Sequence, residues 1–164
     1  LWSRSVTTEP DWQSYDSPTL EAVIPDPLVG PSRLCMSCHD GAVAIDAYYG
    51  STGATDLTTG EFVVDLEGDT FGEIGVGLSG DLSNDHPIGF DYKLITDPEI
   101  NADTTIFGGG SATIASVLYD DGFGGAIMTC ATCHDVHNGP SVVEDWFLYG
   151  SQTDSAFCTT CHKK

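Results

Sequence analysis

Six cysteines and five histidines carry the chemistry of this 164-residue chain, and every cysteine falls in one of three copies of a single pattern. The copies are Cys35-Met36-Ser37-Cys38-His39, Cys130-Ala131-Thr132-Cys133-His134 and Cys158-Thr159-Thr160-Cys161-His162. CxxCH is the covalent attachment motif of c-type haem, and the spacing has a physical reason. Two thiols three positions apart reach the two vinyl groups of one porphyrin, and the adjacent histidine is then held beneath the iron as its proximal ligand. A disulfide framework has no reason to place a histidine after every second cysteine, and a zinc site needs a fourth ligand supplied consistently. The pattern therefore implies three covalently attached haem c groups. Cys35, Cys38, Cys130, Cys133, Cys158 and Cys161 are the attachment residues, and His39, His134 and His162 the proximal ligands.

Three six-coordinate haems need six axial ligands, and the chain has five histidines. Beyond the proximal three, His86 and His137 are the distal candidates. His137 lies three residues after His134, so it cannot reach the far face of the haem its neighbour ligates; an adjacent haem is its expected target. His86 stands in Leu82-Ser83-Asn84-Asp85-His86-Pro87-Ile88-Gly89-Phe90, where proline stiffens the backbone and apolar residues follow, so a buried loop is expected to hold it. Exchange of histidines between identical subunits leaves the ratio of five to three unchanged, so another group fills the sixth position or it stays open. Met128, Met36, the amine of Leu1 and a lysine are the candidates. An apolar residue at position 128 is more often packing than ligand.

These groups need elements to position them, with only about 55 residues per haem for the purpose. Thin packing follows, and the 19 glycines suit backbone that approaches a flat ring closely. The expected fold is mostly irregular and haem-cored, with few short helices and short β-hairpins. Residues 1–32 hold Pro10, Pro18, Pro25, Pro27 and Pro31 and no sustained apolar period, which predicts an extended proline-rich N-terminal arm. That arm would wrap the domain or lie along a neighbouring subunit. Residues 33–164 form a single trihaem domain in this reading. A short helix is predicted over 42–49, and a hairpin from the run 112–119, the turn Asp120-Asp121-Gly122 and the run 123–128. The second and third motifs are 23 residues apart, so their haems must lie near each other.

Acidic residues outnumber basic ones 25 to 5, for a formal charge of −20. Arg4, Arg33, Lys93, Lys163 and Lys164 are the whole cationic inventory, which disfavours nucleic acid and anionic lipid as partners. Basic protein surfaces or metal ions suit it better. Asp and Glu side chains between residues 61 and 73 are the candidate ligands for calcium. Trp2, Tyr48, Tyr49, Phe90, Trp146 and Phe147 are expected to pack on porphyrin edges. No run of about 18 or more apolar residues is present, so no membrane-spanning helix is predicted. The opening Leu1-Trp2-Ser3-Arg4 has neither the basic start nor the apolar run of a secretory signal.

Taken with their surroundings, these residues resemble the low-potential multihaem c-type cytochromes with doubled CxxCH motifs, a group that includes extracellular cytochrome filament subunits. The resemblance runs through Leu1-Trp2-Ser3-Arg4, Tyr15-Asp16-Ser17-Pro18-Thr19-Leu20, and the stretches 34–41, 83–90, 130–139 and 157–162. In that family the CHDG, DHPIGF-like and CHDxHN elements are haem-binding landmarks. The resemblance thus implies His39, His134 and His162 as proximal and His86 and His137 as distal ligands. Family members often carry a further CxxCH motif and histidine just upstream of the LW-R element. This sequence starts after that point, and a histidine from such a segment would account for the sixth ligand.

The functional expectation is electron transfer without substrate chemistry, since two axial histidines close the iron to small molecules and favour low potentials. Because haem c is attached outside the cytoplasm, an extracellular or cell-surface location is expected, with the periplasm as the alternative. The chain would serve as a subunit of a conducting filament, a homo-oligomer or homopolymer exchanging electrons with other multihaem cytochromes or redox proteins. The alternatives are a soluble periplasmic shuttle and a haem enzyme or sensor using one open axial site.

Overall fold

The computed structural model describes residues 12–39, 76, 80–137 and 147–163. Their regular elements are α1 (Pro31–His39), α2 (Ile114–Val117), β1 (Tyr119–Asp120), β2 (Ala126–Ile127), α3 (Cys130–Cys133) and α4 (Ala156–Cys161). Two 3-10 turns, Tyr92–Leu94 and Thr153–Ser155, complete the set. The helix expected over 42–49 and the calcium candidates of 61–73 lie outside the described residues. So do Leu1, Trp2, Tyr48, Tyr49 and Trp146.

The chain divides into two compact units, one of them made from Leu1–Ser17 and Arg33–Pro87. In it Gln13 pairs with Asp81 in a parallel bridge. The Gln13 N–H donates to the Gly80 carbonyl at 2.7 Å, and the Leu82 N–H donates to the Gln13 carbonyl at 2.9 Å. Met36 and Leu82 are buried here. The indole N–H of Trp12 is also buried, with no hydrogen-bond partner. Beyond the bridge the chain turns at Asp81, whose carboxylate accepts the Ser83 N–H at 2.9 Å. Hydrogen bonds from the Ser83 side chain and then its backbone hold that carboxyl below its ordinary value.

The other unit comprises Pro18–Ser32 and Ile88–Lys164. Its core is Phe90, Tyr92, Phe107, Ala112, Ile114 and Met128, with Ala22, Ile24, Ile95, Ile100, Tyr149 and Phe157 among the side chains packed against it. Leu28 is buried in the same unit. The chain reaches this core through Gly89, whose φ of 85° and close approach to the Asp26 carbonyl and to Pro27 exclude a Cβ. Two backbone bonds then clamp Met128: its N–H donates to the Phe90 carbonyl at 2.9 Å, and its carbonyl accepts the Gly89 N–H at 2.8 Å. Met128 is core filling.

The run 112–119 departs from the predicted hairpin arm, because Thr113 starts a helix. Its hydroxyl accepts the Ser116 N–H at 3.2 Å while Ser116 Oγ accepts the Thr113 N–H at 3.0 Å, a reciprocal cap that satisfies two donors at once. Only Tyr119 and Asp120 remain for the strand, paired antiparallel with Ile127 and Ala126. The hairpin exists, with two residues per arm and a five-residue loop in place of the tighter turn expected at Asp120-Asp121-Gly122.

Candidate functional site

The second and third CxxCH motifs sit on α3 and α4, each a single helical turn or little more. Cysteines at i and i+3 share one face of such a turn. Both helices stop in the same way. His134 is the C-cap of α3 with extended backbone (φ −116°, ψ 124°), and its N–H donates to the Cys130 carbonyl at 3.1 Å. His162 is the C-cap of α4 (φ −107°, ψ 137°), and its N–H donates to the Cys158 carbonyl at 3.0 Å.

Each histidine then enters an antiparallel bridge to a distant segment, His134 with Leu148 and His162 with Ile100. The bonds lie on the flanking residues. The Tyr149 N–H donates to the Cys133 carbonyl at 3.3 Å and the Asp135 N–H to the Phe147 carbonyl at 2.8 Å. At the other motif, the Asn101 N–H donates to the Cys161 carbonyl at 2.8 Å and the Lys163 N–H to the Glu99 carbonyl at 2.8 Å. One local device is thus used twice, holding the histidine backbone between two hydrogen bonds with the imidazole exposed in both cases.

Further contacts lock the two turns in place. Thr132 and Thr160, each preceding the second cysteine of its motif, are buried. Thr132 Oγ1 accepts the Thr129 N–H at 2.9 Å, and Thr160 Oγ1 donates to the Ala156 carbonyl at 3.0 Å. Thr129 Oγ1 itself is buried without a hydrogen-bond partner. Ser32, buried in the first turn of α1, accepts the Cys130 N–H at 3.1 Å. The Asn101 amide donates to the Thr159 and Thr160 carbonyls at 3.0 and 3.1 Å, satisfying acceptors that a helix end leaves open. Phe157 stacks on Phe107 with ring centroids 5.4 Å apart, which ties α4 to the core.

The thiols of these two motifs lie within electrostatic reach of one another. Burial, then the neighbouring Cys161, Cys130 and Cys158, push the Cys133 thiol up to about 12. Burial also raises Cys161, opposed by a hydrogen bond from Tyr92. Cys158 is exposed, while Cys130, Cys133, Cys161 and Cys35 keep part of their surface open, and no disulfide joins any of the five. Among the described residues no three His, Cys, Asp or Glu side chains converge to hold a metal ion.

Backbone strain gathers around the same two motifs. Phe147, Asp154 and Ser155 have φ of 60°, 52° and 63°. The first bonds to Asp135 beside His134, and the other two lead directly into α4. Such conformations cost about 1–3 kcal/mol each and persist where surrounding structure imposes them. Phe147 and Val136 also leave large apolar surfaces exposed beside the second motif. An exposed histidine, two thiols on one face and an apolar rim fit a covalently held porphyrin.

The remaining expected ligands stand as follows. His137 is exposed and follows an Asx turn, its N–H donating to Asp135 Oδ1 at 3.0 Å. His86 is exposed where a buried loop was expected, with Nδ1 3.0 Å from the Pro87 carbonyl oxygen. The apolar neighbours Leu82 and Phe90 take the interior positions instead. Phe90, among the aromatics expected on porphyrin edges, lies in the protein core with Tyr92, Phe107 and Met128. Cys35 and Met36 lie on α1, whose last residue is His39; the side chains of Cys38 and His39 lie outside the described residues.

Sequence reading missed the bridge partners Glu99 to Asn101 and Phe147 to Tyr149. Comparison of the chain with protein-family models, with curated proteins and with solved structures gave no match.

Proposed function

We propose that this chain is a trihaem c-type cytochrome of the multihaem family it resembles, carrying electrons outside the cytoplasm as a subunit of a conducting homopolymer. The observation that carries the reading is the twice-built device on α3 and α4: CxxCH on one helical turn, ending in a histidine whose backbone is bridged to a distant strand-like segment. Cys130 and Cys133, Cys158 and Cys161, and Cys35 and Cys38 would hold the three groups. His134, His162 and His39 would serve as proximal ligands, with His86 and His137 distal. Bound haem supplies one-electron exchange at its iron.

The protein's part is to hold and orient. Hydrogen bonds on both sides of His134 and of His162 restrict backbone movement at the ligand. Phe147 and Val136, both exposed beside the second motif, would supply apolar contact to a group held there. Among the described residues no helix is long and apolar enough to cross a membrane. Electron transfer, with no substrate turned over, is the reading for the whole molecule.

Intact-mass spectrometry of the protein from its native source is the direct test. The expected mass is the polypeptide plus three haems, with peptide mapping placing one on each CxxCH. A bare polypeptide mass would sink the proposal.

A further inference from the structure

Phe107 stands where the supports of the second and third attachment turns meet. Its backbone is fixed on both sides: the N–H donates to the Ala112 carbonyl at 3.0 Å, and the carbonyl accepts the Gly110 N–H at 2.9 Å. Its ring is buried in the core of the unit. On one side the ring faces Tyr149, with centroids 6.0 Å apart, and Tyr149 is the residue whose N–H holds the Cys133 carbonyl. On the other it stacks on Phe157, with centroids 5.4 Å and planes 25° apart, and Phe157 immediately precedes Cys158 in α4. One side chain thus touches the clamp of α3 and the body of α4.

The segments around it fit closely. The Ser151 N–H donates to the Gly108 carbonyl at 2.9 Å, which ties the strand-like partner of His134 to the Phe107 turn. Gly150 is buried, and a Cβ there would lie 3.2 Å from the Phe107 Cβ and 3.3 Å from both Phe107 Cδ1 and Phe157 Cδ2. A Cβ on Gly108 would lie 3.4 Å from that of Ala156, the first residue of α4. An interior packed this tightly passes a displacement on rather than absorbing it. Movement of Phe107 would therefore reach both turns.

We infer that Phe107 is a positioning residue for electron transfer between the second and third haem sites, acting through Tyr149 on α3 and through Phe157 on α4 to set the separation and angle of the two attachment turns. The inference rests on the cytochrome reading above and adds the side chain that keeps two of its sites in register. Groups held covalently on two turns inherit any movement between those turns. A shorter side chain at 107 therefore changes their mutual orientation without removing a thiol or a histidine, as happens when the residues supporting a site are loosened.

Circular dichroism of the full haem-loaded chain in the Soret region tests it. Neighbouring haems whose transitions interact give a signal with two lobes of opposite sign, and its size depends on their separation and angle. The native chain should show this signal, and Phe107→Leu, which keeps an apolar residue but loses the ring, should diminish it. Leu28→Ala removes buried apolar volume elsewhere in the same unit and should leave the signal unchanged, which separates positioning from a general loosening of the core. Gly150→Ala presses a methyl group against Phe107 and Phe157 and should also alter the signal, so the test holds even where Phe107→Leu fails to fold. Absence of the two-lobed signal from the native chain, a native signal in either variant that folds, or an equal fall in Leu28→Ala would overturn the role. Three haems by intact mass in those same samples would leave the cytochrome reading standing, whereas a bare polypeptide mass would remove both.

Discussion

At the residue scale, Cys133 and Cys158 carry the same chemistry in different surroundings. Cys158 is exposed, whereas the Cys133 thiol is pushed up to about 12, by burial first and then by Cys161, Cys130 and Cys158. Thiolate is the reactive form, so in haem-free chain at pH 8 iodoacetamide should modify Cys158 at least ~10-fold faster than Cys133. Peptide mapping by mass spectrometry checks this; equal rates would contradict the shielding of the Cys133 thiol relative to Cys158. Tyr92 gives a second residue-level outcome. Its hydroxyl donates to the Asn101 carbonyl at 2.8 Å, and burial first, then the neighbouring Cys161, raises its pKa above 10.0. The folded state therefore holds this proton more tightly than the unfolded one. The associated stability is complete below pH 10 and is lost as pH rises beyond it. Tyr92→Phe should cost about 1 kcal/mol at neutral pH through the lost hydrogen bond. It should also flatten the alkaline decline, as read by denaturant titration across pH.

At the element scale, the short helices persist because their ends are satisfied from outside. A helix of six residues such as α4 is far below the ~12–15 residues that stand alone in water. Its stability comes from Phe157 on Phe107 and from Asn101, which donates through its side chain to Thr159 and Thr160 and through its backbone to Cys161. Asn101→Ala should therefore destabilise the folded protein by roughly 1–2 kcal/mol, leaving carbonyls at the helix end without their donor. Thermal unfolding measures the loss. A normal melting temperature would show that the bridge between Ile100 and His162 holds α4 without the side chain. The hairpin shows local capping overriding a strand pattern: 112–119 reads as an apolar arm, but the reciprocal Thr113 and Ser116 bonds turn its middle into helix.

At the scale of the whole molecule, five histidines facing six axial positions set a limit on the proposed cytochrome. With His86 and His137 distal, only one haem lacks a histidine for its second axial position. Carbon monoxide added to the reduced protein should bind at no more than one haem in three, measured by difference spectra titrated to saturation. Binding at two or three would remove His86 or His137 from the ligand set. The charge acts on the same scale, since −20 on 164 residues makes contact between copies unfavourable except where the sign is balanced.

The CxxCH motifs were legible in the sequence because they are contiguous: five adjacent residues specify two thiols and a histidine whatever the rest of the chain does. The acidic balance, the histidine shortfall and the packing preference of Met128 were equally open to reading, being matters of composition and side-chain type. Only the tertiary structure decided what lies opposite His134 and His162. Leu148 and Ile100 are far from their partners in the sequence, and no local period marks a single antiparallel bridge. It also decided burial, sending Phe90 and Met128 into one core while leaving His86 and Phe123 exposed. The reason is physical: covalent chemistry is written in neighbouring residues, whereas exposure and backbone clamping arise from which distant segments meet.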